Sequence, residues 1–230
     1  LCHNDDARMA PVNFNHYDGY AQGPSTMTKY QPGEHVPGLN VGGWHDAGDF
    51  DLRVESQSGE SYILALAYEA FHVDYDATTI DQSRKLVEIH QPDGRNDILQ
   101  QIEHGALTVV GGYRALGRLY RGIICGDMRQ YVLLGDSAAM TDNQISSDDR
   151  WVFTENNPPR ELSTAAHLAA VSRVLKGFND ELSAQSLQAA RELFDVTDAA
   201  ASEHARMAKV HAACELLITT KEDKYKAHIL

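Results

Sequence analysis

Beyond about residue 55 the apolar positions recur at helical spacing, and they lay out most of the chain. Ile63, Leu64, Ala67, Tyr68 and Phe71 predict an amphipathic helix over roughly 56–71. A short helix is expected over 80–90, ending before Gln91-Pro92-Asp93-Gly94, a strong turn signal. A long helix follows from Asp97 to about Tyr120, with Asn96 or Asp97 as its cap. Ile98, Ile102, Leu107, Val110, Leu116 and Leu119 form its apolar stripe, and Gly111-Gly112 interrupts it and predicts a bend. The segment from Arg121 to Asn157 reads as mostly loop, closed by Asn157-Pro158-Pro159. Helix returns over about 160–176, with Leu162, Ala165, Ala166, Ala169, Ala170 and Val174 on one side and Gly177 as the stop. Further helices are expected from Asp180 or Ser183 to about Phe194, from Asp198 to Ile218, and from near Lys221. No segment reads as a β-sheet, and Ala-rich helices in succession predict helical hairpins, an all-α fold.

Residues 1 to about 55 differ. Pro11, Pro24, Pro32 and Pro37 alternate with Gly19, Gly23, Gly33 and Gly38, and Tyr17, Tyr20 and Tyr30 are interleaved. The aromatics argue for ordered irregular structure lying over one end of the domain rather than a disordered tail. At 230 residues the chain is long enough for one large domain or two small ones, with ample length for a sizeable core.

Charge narrows the partners. The formal net charge of −13, from 20 basic and 33 acidic residues, argues against nucleic acid or an anionic membrane and suits a neutral or cationic substrate. No apolar run approaches the roughly 18–20 residues needed to span a bilayer. Cys2, Cys125 and Cys214 are too few and too scattered for a disulfide framework. The chain opens on Leu1, so its natural start is expected to lie upstream.

Candidate chemistry concentrates in Gly42-Gly43-Trp44-His45-Asp46-Ala47-Gly48-Asp49, just before the first helix. Gly and Ala leave its carboxylates uncovered, so a bulky ligand can approach the backbone. Two carboxylates held near one another cannot both ionise freely. One can take a proton from water and direct the oxygen at an electrophilic carbon while the other grips the same water. Trp44 or His45 can bound such a pocket. From spacing alone, a capped turn in which each Asp accepts backbone N–H groups is the favoured reading.

The turn, followed by a helix, resembles the N-terminal catalytic signature of glycoside hydrolase family 9, the inverting cellulases and related β-glucanases. Asn96-Asp97-Ile98-Leu99-Gln100-Gln101-Ile102-Glu103-His104-Gly105 is similar to the family's next long helix. Asp149-Arg150-Trp151-Val152-Phe153-Thr154-Glu155, followed by Arg160-Glu161-Leu162-Ser163-Thr164-Ala165-Ala166, is similar to the loop and Ala-rich helix after it. The likeness runs over most of residues 2–225. It implies an (α/α)6 barrel, a six-hairpin toroid, of which this chain would hold about half, with residues 1–55 carrying the acidic turn and 56–230 the hairpins. It implies Asp49 as the general base that activates water and Asp46 as the group that holds it. Inversion also needs a general acid across the sugar, about 6.5–9.5 Å from the base. The family's acid is a Glu in a later segment that these residues lack. A secreted, periplasmic or cell-surface setting is implied, a β-linked glucan is the implied partner, and no cofactor is required for the chemistry.

Secondary candidates are fewer. Cys2-His3 looks like half of a zinc-binding pair found in some family members, with His16 and His35 as conceivable complements, but tetrahedral zinc wants four ligands. Asn4-Asp5-Asp6 offers oxygens for calcium without the spacing of an EF-hand loop. Trp151, beside Arg150 and Glu155, can stack on a sugar ring while its neighbours bond hydroxyls, or can plug the core under the loop. His45 joins Trp151 and Arg150 as a candidate substrate contact. Tyr17, Tyr20 and Tyr30 are expected to pack; His72, His90, His104, His167, His204 and His211 show no ligand spacing. Two other readings stand beside the enzyme: a non-catalytic carbohydrate-binding or scaffold protein on the same barrel, and a helical-repeat module, for which no fixed period is found.

Overall fold

The computed structural model describes residues 7–39, 41–45, 51–81, 83–84, 86–126 and 150–229. In chain order, β1 (Ala7–Met9), β2 (Phe14–Asn15), β3 (Ala21–Gln22) and β4 (Leu52–Arg53) precede α1 (Val54–Phe71). Then come β5 (Thr78–Asp81), β6 (Leu86–Ile89), α2 (Asp97–Leu116), β7 (Tyr120–Ile124) and β8 (Arg150–Thr154). The chain closes with α3 (Pro158–Leu175), α4 (Asp180–Val196), α5 (Glu203–Thr220) and a 3-10 turn at Asp223–His228. Two compact units result, one of residues 1–57 and 107–156, the other of 58–106 and 157–230.

The first unit corrects the expectation that no sheet is present. It contains a four-stranded sheet in the order β1-β8-β7-β4. β1 lies parallel to β8 (Ala7 opposite Arg150, Met9 opposite Val152), while β8 runs antiparallel to β7, and β7 to β4. The strands stayed hidden because they do not alternate. Four of the five residues in each of β7 and β8 are buried, so both faces are covered and no period of two is left to see. Their β-branched and aromatic residues were the surviving signal. Ala10, Tyr20, Ile124 and Phe153 form a core on this sheet, with Phe14 and Trp151 packed against it.

α2 starts where Asn96 caps it, its Oδ1 accepting the Ile98 and Leu99 N–H groups at 3.1 and 3.2 Å. The interruption expected at Gly111-Gly112 is absent, since the helix runs through both residues. The glycines serve packing instead. A Cβ on Gly111 would sit 3.2 Å from the Gly38 carbonyl oxygen, and one on Gly112 would sit 2.6 Å from the Tyr120 ring.

In the second unit the expected short helix at 80–90 is a hairpin, β5 against β6, with Thr79 opposite Glu88 and Ile80 opposite Val87. Thr78, Thr79, Ile80, Val87 and Ile89 are β-branched, and that stiffness overrode a weak helical spacing. The helices follow the periodicity closely. Asn157 caps α3 by accepting the Arg160 N–H at 3.2 Å, with Pro158-Pro159 in the first turn, where no intrahelical N–H is needed. Asn179, rather than Asp180 or Ser183, caps α4 by accepting the Leu182 N–H at 3.0 Å. α5 begins at Glu203 rather than Asp198 because Ser202 caps it, while Asp198 caps a separate 3-10 turn over Ala199–Ala201. α3 packs on both α4 and α5. Ala165, Ala166, Ala169, Ala170, Ala189, Ala190, Ala205, Ala212 and Ala213 are all buried, and their small side chains let the helices close together. No described helix is long and apolar enough to cross a membrane.

Candidate active site

The acidic turn is approached through two glycines in the left-handed region, Gly42 (φ 72°) and Gly43 (φ 81°). At Gly43 a side chain is excluded twice. Its φ disfavours one, and a Cβ would lie 2.8 Å from both Gln57 Oε1 and Thr108 Cγ2. That close approach brings the next residue against Gln57, in the first turn of α1. The Trp44 N–H donates to Gln57 Oε1 at 2.8 Å, and Gln57 Nε2 donates to the Trp44 carbonyl at 2.8 Å. Gln57 is 2% exposed, so both bonds are made out of water. Asp46 and Asp49 lie outside the described residues. His45, the last described residue before them, is partly buried.

The chain is held again at Asp51. Its side chain is fully buried and accepts the Tyr20 hydroxyl at 2.7 Å and Arg53 Nε at 2.8 Å. Burial, and then the bond to Asp51, push the Tyr20 phenol far above its ordinary range, so it remains a donor. The Tyr20 ring is itself wedged: a Cβ on Gly122 would stand 2.1 Å from its Cε1.

The other expected sugar contacts are placed as follows. Arg150 corrects the expectation of a hydroxyl-bonding side chain. It is fully buried, because β8 is covered on both faces. Trp151 is partly buried, with its ring edge-on to Phe14 at 4.9 Å and 82°. Of the tyrosines, Tyr20 packs as expected, whereas Tyr17 is 51% exposed and stacks on His16 at 4.1 Å.

The zinc and calcium candidates Cys2, His3, Asn4, Asp5 and Asp6 lie outside the described residues. His16 is engaged elsewhere. Its Nε2 is 2.8 Å from the Cys125 carbonyl, to which it must donate, and its Nδ1 accepts the Asp18 N–H at 3.2 Å. Among the described residues, no three His, Cys, Asp or Glu side chains converge as a metal site would require.

The second unit contains a cluster that spacing missed. The Tyr62 hydroxyl donates to Glu215 Oε1 at 2.9 Å and lies 3.0 Å from His211 Nε2. With its one proton given to Glu215, it must accept from His211, so that Nε2 is protonated. His167 stacks on the Tyr62 ring at 4.8 Å, and its Nδ1 lies 3.1 Å from Ser58 Oγ. Arg173 bridges Glu69 (2.5 and 2.7 Å) and Glu215 (3.0 Å). Each residue alone looked like an isolated polar position on an apolar helix; only the His211–Glu215 spacing of one helical turn was a signal.

Burial, helped by His211, lowers the His167 pKa to about 4. Between that value and the unfolded value near 6.5, the unfolded chain binds the extra proton, so stability rises with pH across this window. It is complete above about 6.5 and lost as pH falls toward 4. We expect denaturant unfolding to show His167→Gln losing less stability than the parent between pH 7 and 4, by up to about 3 kcal/mol. Equal losses in the two proteins would remove His167 as the cause.

A family model described as glycosyl hydrolase family 9 matches residues 7–230. No curated protein matches the chain. Among solved structures, a metagenome-derived glycoside hydrolase family 9 endoglucanase aligns with 96% of this chain and 42% of its own, at 20% identity and TM-score 0.60. The endoglucanase of the termite Nasutitermes takasagoensis aligns with 96% of this chain and 50% of its own, at 16% identity and TM-score 0.58. The endoglucanase CelQ of Clostridium thermocellum, complexed with cellotetraose, aligns with 81% and 29%, at 19% identity and TM-score 0.54. The chain thus spans half or less of each of these structures. The helical part has the fold of a portion of an (α/α)6 barrel, as the all-α reading expected.

Proposed function

The chain belongs to glycosyl hydrolase family 9, and on that premise we propose that it supplies the water-activating side of an inverting hydrolase of β-linked glucans. The observation that carries this reading is that the matched span, residues 7–230, includes the complete GGWHDAGD turn. In the proposed mechanism Asp49 is the general base. It takes a proton from a water molecule that Asp46 helps to hold, and the water's oxygen attacks the anomeric carbon from the face opposite the leaving group. The leaving oxygen takes its proton from a carboxylic acid on the other side of the sugar. That acid belongs to the portion of a family domain that these 230 residues do not cover. The solved relatives, endoglucanases of which one is complexed with cellotetraose, support a β-1,4-linked glucan as substrate. The net charge of −13 is compatible with such a neutral polymer. A polymeric substrate, too large to enter a cell, supports a secreted, periplasmic or cell-surface setting.

The test is stereochemical. The complete protein that carries this chain is incubated with a soluble β-glucan, and the anomeric protons of the products are followed by NMR. The α-anomer is expected first, with the β-anomer growing in only by mutarotation. First appearance of the β-anomer would exclude inversion by direct attack of an activated water. Binding without hydrolysis would replace the enzyme by a non-catalytic carbohydrate-binding protein.

A further inference from the structure

We propose that Gln57 is the positioning residue of the acidic turn, acting through the backbone of Trp44 rather than on substrate. The inference rests on Asp49 being the base, and three observations lead to it. First, the Gln57 carboxamide uses its acceptor and its donor on the N–H and C=O of one residue, both at 2.8 Å. A single hydrogen bond leaves the residue free to swivel; two from a planar group, one to each peptide flanking the Trp44 Cα, set its orientation as well, as a neighbouring strand would. Second, the contact depends on Gly43. Any Cβ there would come within 2.8 Å of the same Oε1, so the backbone is built to lie against this side chain. Third, the peptide so fixed stands two residues before Asp46 and five before Asp49, while Asp51, two residues after Asp49, is fixed by Tyr20 and Arg53. The carboxylates therefore sit between two anchored points of the chain, one of them set by Gln57 from the rigid first turn of α1.

The chemistry explains why Gln is required. Met has nearly the same volume and neither bond. Glu keeps the acceptor but, when ionised, has no proton for the Trp44 carbonyl; once protonated it regains the donor. Loss of orientation by a fraction of an ångström lowers the rate of a positioned reaction far more than it weakens binding.

The complete enzyme is assayed on a soluble β-glucan across pH, with Gln57→Met, Gln57→Glu and Asp49→Asn side by side. Gln57→Met is expected to lower kcat about 30–100-fold with KM changed less than about threefold. Gln57→Glu should recover as pH falls, adding a pH limb that the parent lacks. Circular dichroism melts establish the folded fraction of each variant. A folded Gln57→Met with parental kcat overturns the proposal. So does a loss that merely follows the unfolded fraction, with no new limb in Gln57→Glu. Should Gln57→Met fail to fold, the limb in Gln57→Glu alone decides. If Asp49→Asn is inactive while both Gln57 variants behave like the parent, only the positioning role falls; if Asp49→Asn stays active, the base and the positioning role fall together.

Discussion

Replacing Asp49 by Asn in the complete enzyme is expected to lower kcat on a soluble β-glucan by about 10³-fold or more, with KM within a few-fold of the parent. Asn matches Asp in size and can hold the same water, yet it cannot accept a proton. What is lost is an interaction made only in the transition state, which is why kcat and kcat/KM should fall together. A small anionic nucleophile gives an independent check. Azide needs no base, so adding it to Asp49→Ala should restore turnover and yield an α-glycosyl azide, the inverted product. Asp46→Asn should cost less, on the order of 10–100-fold, because in the proposed mechanism that carboxylate orients the water without taking its proton. Retention of activity within tenfold in Asp49→Asn would move the base elsewhere.

The second large effect is on stability. Asp51→Ala should destabilise the fold by about 2–3 kcal/mol, read as a lower urea midpoint at unchanged slope. The lost carboxylate is fully buried and accepts from Tyr20 and Arg53. The Tyr20 ring is 2% exposed and lodged over Gly122, so its hydroxyl cannot turn to water for a new acceptor. Asp51→Asn keeps an acceptor for that hydroxyl and should cost about 1–2 kcal/mol. A loss below about 1 kcal/mol in Asp51→Ala would mean that this end of the acidic segment is anchored by something else.

The helices were legible because each carries its own evidence. α3 announces itself by Asn157-Pro158-Pro159 at one end, Gly177 at the other and alanines at helical spacing between. The sheet was illegible for the opposite reason. β7 pairs with β8 across the 25 residues between Ile124 and Arg150, and β1 pairs with β8 from the far end of the chain, so no local window contains the partners. The bonds of Gln57 to the Trp44 backbone and of Asp51 to Tyr20 and Arg53 were not legible, because Gln57 in sequence is one more polar residue at the start of a helix, and Asp51 one more acid after two others. Arg150 misled because an arginine in a polar stretch is ordinarily exposed, and only the covering of both faces of β8 puts it inside.

The parallel seating of β1 on β8 bears on how the protein is made. Ala7 and Arg150 are neighbours in the sheet although about 140 residues separate them in the chain. A ribosome adding 5–20 residues per second leaves the first strand without its partner for on the order of ten seconds. During that interval β1 has an open edge in the nascent chain, and it cannot reach its place before β8 emerges. The first unit therefore cannot close until β8 has been made, about 140 residues after β1, whereas α3, α4 and α5 follow one another directly and can pack as they appear.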